Sequence, residues 1–533
     1  MPIKLCSKMK YEELSEIDIN HISEVYYNKS LTWDERMIAL SEYLDKSERT
    51  VLKWLAKLGL TESTAPDPPQ LIEAKKREFN PKTKRFIITW AQNNTPVHQA
   101  FITNIECYAN MIGADIHVIA GRYRNPTSIF IDKDQDVWDN RIDPYLDANR
   151  HQVHPYMWIM SDIKIQPTAV NPMTGLQAMS GKNSCVFGSP KVHMETIPVL
   201  EGSIPKMMMT TGACTIVNYT DSKAGKKGEF HHTLGFVIVE IKDDRTFFAR
   251  QVTADEDGNF YDLYYKAEYQ SDKSLSMVTR IREYDSVILG DLHYGQHDQV
   301  VIDKTLELFD KVDPGFVVLH DVFDGLSINH HELNDPFIQY KREMDGTNSL
   351  RAEIDSMLKG LEAFNEFQVV IVRSNHDDFL DRWLKSTDWR KATTLKNSLE
   401  YMEYSAAILR GDAPNGIIPY LINKKFPEFK TLGRSDSFVV NGWELGQHGD
   451  IGSNGTKGSL LQFRQLNTKI VVGHYHSPGR KDGALAVGTS TKLRVNYNVG
   501  ASGWLQSHVI IHTNGKAQHI NFINGEFTTL LIS

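Results

Sequence analysis

Between residues 280 and 533, short apolar runs recur along the chain, and each one stops at a cluster of polar side chains. Val287–Leu289, Phe316–Leu319, Val369–Val372 and Ile470–Val472 are apolar and rich in β-branched residues, the composition of buried strands. A weaker run of the same kind spans Trp443–Leu445. Between them, Gln299–Val312 and Leu350–Phe364 place apolar residues at helical spacing. Strands alternating with helices predict an α/β fold for this stretch.

Upstream, the pattern changes. In 86–270, Phe86–Trp90 reads as a strand, Val97–Ile112 as a helix and Asp115–Ala120 as a second strand after Gly113, a βαβ unit. Leu234–Ile241 and Thr246–Val252 read as further strands, and Lys223–Lys227, with Gly225 and Gly228, as an exposed loop. This α/β domain carries no phosphate-binding glycine fingerprint, and its sequence assigns it no role.

Residues 1–62 read as helical. Trp33–Leu44 has an apolar stripe of Trp33, Met37, Ile38, Leu40 and Leu44, broken at Asp45-Lys46. Ser47 is placed to cap a second helix, Glu48–Leu58, that stops at Gly59. Val51, Leu52, Trp54, Leu55 and Leu58 would form the core of this unit. Two helices and a tight turn predict either a helix-turn-helix, with Arg49, Thr50 and Lys53 facing a nucleic-acid groove, or a small helical cap. Residues 63–85 form a linker stiffened by Pro66, Pro68 and Pro69. Its basic cluster, Lys75, Lys76, Arg77, Lys82, Lys84 and Arg85, serves either phosphate contacts or a solvated face.

Composition narrows the field. The chain has 533 residues, room for three or four domains, with 24% charged and 41% hydrophobic residues. A formal net charge of -8 argues against coating a polyanion wholesale, while leaving a local basic groove open. Cys6, Cys107, Cys185 and Cys214 show no CxxC spacing, which points to a reducing compartment and away from a thiolate zinc site. The first 18 residues lack the apolar core of a signal peptide, and no apolar run is long enough to span a bilayer. The expected location is cytoplasmic, with no membrane partner.

The chemistry lies where the apolar runs end. In order, the five ends carry Asp291-Leu292-His293, His320-Asp321-Val322-Phe323-Asp324, Ser374-Asn375-His376-Asp377, Gln447-His448-Gly449-Asp450 and Gly473-His474-Tyr475-His476. In α/β sheets the carboxyl ends of strands converge on one ligand site. Carboxylate, imidazole and amide donors without sulfur suit Mn²⁺, Fe or Zn²⁺ in an open centre. A lone Asp-x-His or His-x-His is usually structural; five segments, each following an apolar strand, point to a metal site.

The order and content of these segments resemble the calcineurin-like metallophosphoesterases, and among them the Mre11/SbcD-type nucleases. The resemblance covers about 280 to 510. It implies a four-layer αββα sandwich and two divalent ions, Mn²⁺ foremost, with Mg²⁺, Fe or Zn²⁺ as alternatives. It also implies that Asp291, His293 and His476 hold one metal, that Asn375, His448 and His474 hold the other, and that Asp321 bridges both. His376 would act beside the scissile phosphate as a general acid or transition-state stabiliser, oriented by Asp324. His320 and Ser374 depart from the family, which usually has Gly at both places.

Around this core, His297, His330, His331, Arg373 and Lys457 are candidates for substrate contact, Lys457 from a Gly-rich loop, Gly449–Gly458. The stretches Ser374–Trp383 and His448–Ser459, and the tail Gly488–Arg494, are similar to phage-encoded metallophosphoesterases. The overall arrangement is similar to the pre-early DNA-degrading proteins of T5-like phages. That implies a Mn²⁺-dependent DNase acting on host DNA in the infected cell's cytoplasm. The alternatives are a phosphatase for nucleotides or phosphoproteins, and a DNA-binding or assembly protein with a vestigial metal site. Self-association into a homo-oligomer is also expected.

Overall fold

The computed structural model describes residues 10–28, 31–60, 77–80, 82–125, 136–271, 275–390, 395–466, 468–496 and 498–530. Cys6, the linker prolines Pro66, Pro68 and Pro69, and Lys75 and Lys76 lie outside the described residues. The chain divides into two compact units, Met1–Gln70 and Leu71–Ser533.

The first unit contains the helices Glu16–Tyr27, Trp33–Leu44 and Glu48–Lys57. The first of these lies within the stretch that reads as helical but is not delimited by the apolar pattern; Ser15 and Asp18 form a capping box at its start. Ile22, Tyr26, Met37, Leu40, Leu44, Val51, Trp54 and Leu55 make the core. Leu52 does not join them and is 37% exposed, because helical phase turns it about 100° away from the face of Val51, Trp54 and Leu55. Asp45, at φ 50°, ends the second helix. The Ser47 hydroxyl lies 3.0 Å from that of Thr50 instead of capping the helix backbone. Arg49 and Lys53 are exposed, and Thr50 is half-buried.

The second unit is mixed α/β. Five strands lead to the polar clusters: β1 (Glu283–Ile288), β2 (Asp313–His320), β3 (Val369–Val372), β4 (Trp443–Glu444) and β5 (Lys469–Val472). β1, β2 and β3 lie side by side and parallel, with pairs such as Val287 with Val317 and Val318 with Val370. Lys430–Leu432 extends this sheet beyond β3, and Ser507–Ile511 and Ala517–Asn521 extend it beyond β1, giving six strands. Alternation along the strands splits their side chains between two faces. Val287, Val317, Leu319, Val369 and Ile371 pack against helices that include Gln299–Phe309 and Leu350–Leu361. Ile288, Val318, Val370 and Val372 meet Val471 and Leu485 of a second, ten-stranded sheet and Leu445 and Val487, which directly follow two of its strands. The short helix Leu460–Phe463 covers the far side of that sheet through Phe463, against Ile470, Val472, Ala484 and Ala486.

The ten-stranded sheet contains β4 and β5 and also strands from 150–210. The join is antiparallel, with Gly479, Arg480 and Lys481 opposite Glu195, Met194 and His193. The stretches 86–270 and 280–533 thus share one sheet. A separate five-stranded sheet holds the expected βαβ unit, with Arg85–Gln92 parallel to Asp115–Gly121 and the helix Gln99–Ile112 between them. One face of it packs on that helix, and the other, through Phe86, Ile88, Trp90 and Val237, packs on Met157, Val186, Met194 and Met209 of the ten-stranded sheet.

Lys223–Lys227 is not a loop: the helix Lys223–Phe230 forms there, with the Ser222 hydroxyl accepting from the Gly225 amide at 3.1 Å. Two members of the expected basic cluster are anchored in the body. The Arg77 guanidinium donates to the Ile116 and Tyr145 carbonyls, and Arg85 donates to the Ile112 carbonyl at 2.8 Å. Cys107, Cys185 and Cys214 are free thiols. Among the described residues no helix is long and apolar enough to cross a membrane.

Candidate metal centre

The strands converge as the alternation of strand and helix requires. Gly290 and Gly473 allow the close approach. A Cβ on Gly473 would fall 2.9 Å from His320 Cγ and against the Asp291 carboxylate. The segment after β1 is zipped to the one after β2, with amide-to-carbonyl bonds from Leu292 to His320 at 3.1 Å and His293 to Asp321 at 2.7 Å. The tail at Gly488–Arg494 buttresses the same corner: the Ser490 hydroxyl donates to the Gly290 carbonyl at 2.8 Å, and that of Thr489 to the Asp291 carbonyl at 3.1 Å.

These turns bring seven predicted ligands into one linked cluster. His476 Nε2 lies 3.1 Å from Asp291 Oδ2 and 3.1 Å from His293 Nε2. His293 Nε2 lies 3.4 Å from Asp321 Oδ2, and His448 Nε2 is 3.1 Å from the same oxygen. Asn375 Oδ1 is 3.1 Å from both His448 Nε2 and His474 Nδ1. Asp291, His293, Asp321, His448 and His476 are buried, whereas Asn375, His376 and His474 are half-buried, so the cluster opens to solvent on their side.

Four of the seven, His293, Asp321, His474 and His476, adopt left-handed backbone at φ 43°, 47°, 75° and 53°. For side chains other than glycine this costs about 1–2 kcal/mol each. Such strain gathers where side chains must be aimed at one point.

Charge tells the same story. Burial alone would raise the Asp321 pKa, yet His448 and His293 hold it well below the usual carboxylate range. Burial would depress His448, but Asp321 lifts it to about 9. His293 is likewise raised well above its ordinary value, against the pull of burial, by Asp321 and Asp324. Asp291 Oδ1 and Asp321 Oδ1 receive no hydrogen bond, although both are buried. A buried carboxylate oxygen without a donor is costly. A cation coordinated by oxygen and imidazole nitrogen would satisfy it, so the donor set fits a metal ion.

His376 and Asp324 stand beside the cluster. Asp324 does meet His376, though mainly through its backbone: the His376 Nδ1–H donates to the Asp324 carbonyl at 2.6 Å. The Asp324 carboxylate is closer to His293 Nδ1, at 3.1 Å, than to His376 Nδ1, at 4.0 Å. Asp324, His293 and His376 are themselves close enough to share a cation. Burial lowers the His376 pKa.

The expected substrate contacts spread out. His330 accepts from Arg382 at 2.8 Å and packs on Phe379, which packs on His376. His297 sits against Tyr294 and bonds locally to Gln299. Arg373 is engaged by Asp378, Asp381 and the Asn415 carbonyl. Lys457 is exposed on the loop after His448.

Three further groups brace the centre, of which only His320 stands out in the sequence, as a departure from the family. His320 is buried, which pushes its pKa down to about 4, and its Nδ1 lies 3.4 Å from His448 Nδ1. A neutral His320 therefore accepts the His448 Nδ1 proton and aims His448 Nε2 at Asp321 and Asn375. Trp504 stands edge-on to His476, ring centres 4.2 Å apart. The Glu353 carboxylate accepts from the Leu326 amide and the Ser327 hydroxyl, both at 2.6 Å, and so holds the turn after Asp324.

Fold and site together define a mixed α/β protein with a buried His/Asp cluster that can hold a metal ion. No protein-family model matches the chain. Over 470 residues, 83% of this chain and 83% of the relative, it is 33% identical to Protein A1 of Escherichia phage T5. The chain belongs to the family of that phage protein.

Proposed function

We propose that this chain is a metal-dependent phosphodiesterase that hydrolyses DNA at the centre formed after β1, β2, β3, β4 and β5. One observation carries the reading: seven oxygen and nitrogen donors from five distant segments meet around buried carboxylate oxygens that lack proton donors. The stacking of helices, two sheets and the helix Leu460–Phe463 agrees with the αββα sandwich of the calcineurin-like metallophosphoesterases. On that reading Asp291, His293 and His476 hold one divalent ion, Asn375, His448 and His474 a second, and Asp321 both, with Mn²⁺ the favoured metal.

Bound cations would supply Lewis-acid polarisation of the phosphate and acidify a bound water. The protein's own part falls to His376. Its Nδ1–H is committed to the Asp324 carbonyl, so Nε2 is the nitrogen left for substrate. Burial keeps the ring neutral at pH 7. A phosphate anion brought against Nε2 favours the protonated form. The ring then gains a proton as substrate enters and can donate it to the leaving oxygen.

DNA is the substrate favoured by the resemblance to phage-encoded DNA-degrading enzymes, and membership of a phage protein family agrees with a phage origin. The place of action is then the cytoplasm of the infected host. The test is purified full-length protein with linear, circular and single-stranded DNA and with p-nitrophenyl phosphate, across Mn²⁺, Mg²⁺ and Zn²⁺. The expected result is Mn²⁺-dependent DNA cleavage, reduced by about 10²–10⁴-fold in His376→Ala and lost in Asp321→Ala. Monoester turnover without DNA cleavage would establish a phosphatase instead, and DNA binding without turnover a vestigial centre.

A further inference from the structure

A second charged site lies at the other end of β5. That strand begins at Lys469 and runs towards His474 of the candidate metal centre. At its start is a cavity of about 420 Å³, lined by His231, Arg464, Lys469, Arg480 and Lys516, with Asp482 the one carboxylate in its wall.

The positive charges outnumber what surrounds them. Asp482 is already shared: His193 Nε2 lies 3.2 Å from it, His231 Nδ1 3.4 Å and Arg464 Nε 3.1 Å. Asp482 is held at φ 55°, a strained conformation for an aspartate in a tight turn. Arg480 is only 7% exposed, and its guanidinium is assigned to the main-chain carbonyls of Asp482 and Ala517, at 3.4 and 3.3 Å. Among the described residues no carboxylate pairs with Arg480, Lys469 or Lys516. Lys469 rests its ammonium 5.5 Å from the Trp443 ring centre. Lys516 is half-buried, and burial and then Lys469 depress its pKa, with Asp255 and Glu256 acting in the opposite sense. Three cations thus converge on one cavity, one of them almost fully buried, and among the described residues none is in an ion pair, with Asp482 acting on Arg480 only at longer range. Buried charge of one sign is stable when a counter-charge enters. A compact dianion with several acceptor oxygens answers this arrangement best, because Arg and Lys both bind phosphate through charge-assisted bonds.

We propose that this cavity binds the dianionic phosphate group of a small molecule, either free phosphate or a nucleoside monophosphate, independently of the metal centre. The test is calorimetric titration of the full-length protein at fixed ionic strength in EDTA, with inorganic phosphate and with thymidine 5′-monophosphate as separate ligands. At least one should bind one-to-one. Tighter binding of the monophosphate would assign a nucleotide, and equal binding the free anion. Affinity should fall about tenfold in Lys469→Gln, a substitution of an exposed side chain, and further in Lys469→Gln with Lys516→Gln. Absence of binding by both ligands to the wild type, or unchanged affinity in a folded Lys469→Gln and in the double variant, would overturn the proposal.

Discussion

Loading the centre with a cation should expel a proton, and His448 sets the size of the effect. Its Nε2 lies 3.1 Å from Asp321 and 3.1 Å from Asn375 Oδ1, so the nitrogen that would ligate carries the proton in the cation-free protein. Burial would lower its pKa, but the Asp321 carboxylate raises it to about 9. Removing that proton at pH 7 costs about two pH units' worth of free energy, about 2.7 kcal/mol, or about 100-fold in apparent affinity. The Mn²⁺ affinity should therefore rise at least about tenfold per pH unit from pH 7 to 9, and more steeply if His293 gives up its proton as well. The sign for folding is opposite. A histidine pKa raised above 6.5 stabilises the cation-free protein below that pH, and the contribution is lost as pH climbs through 9. Calorimetry of Mn²⁺ binding in two buffers of different ionisation heat counts the proton directly, and about one or more should leave at pH 7. An affinity constant between pH 7 and 9, or a proton count of zero, would refute the reasoning.

Three further outcomes are expected. His320→Leu leaves every proposed ligand in place but frees His448 Nδ1, and Mn²⁺ affinity should drop about 10–100-fold by the same titration; an unchanged affinity would remove His320 from the centre. Gly473→Ala puts a methyl against Asp291 and His320, and should lower stability by about 1–3 kcal/mol in denaturant and impair Mn²⁺ binding; wild-type behaviour in both assays would contradict the packing described. Burial raises the Asp377 pKa from 3.8 to about 7, so the folded protein keeps a proton that the unfolded chain gives up, and stability falls as pH rises between those values. Asp377→Asn has no such loss, and its stability relative to wild type in EDTA should improve by about 3 kcal/mol from pH 4 to 7. A pH-independent difference would show that the carboxyl is not held protonated.

The strands of the centre could be read because they are buried on both faces. Val369–Val372 has no polar position to blur its limits, and observed and expected ends coincide. The segments that follow were readable for a related reason, since each apolar run ends abruptly in donor side chains. What escaped was decided by contacts between distant parts. His320 looks like a stray departure in sequence, and only the return of the chain at His448 gives it a partner. Trp504 gains a place beside His476 through a pairing of Leu505 with the His476 carbonyl that no local pattern announces. Asp324 does meet His376, as the resemblance implies, but a carbonyl makes that contact and the carboxylate turns to His293. The Lys223–Phe230 helix was hidden by glycines, of which Gly225 is packed tightly against Thr220.

The pairing of Gly479–Lys481 with His193–Ile197 limits how this protein can be taken apart. A fragment begun near residue 280 would leave that hairpin with a bare row of amides and carbonyls, ready to recruit a neighbouring chain. Its solubility would suffer before its chemistry could be assayed. A silent truncation would then say nothing about the centre, and activity should be sought in the intact polypeptide.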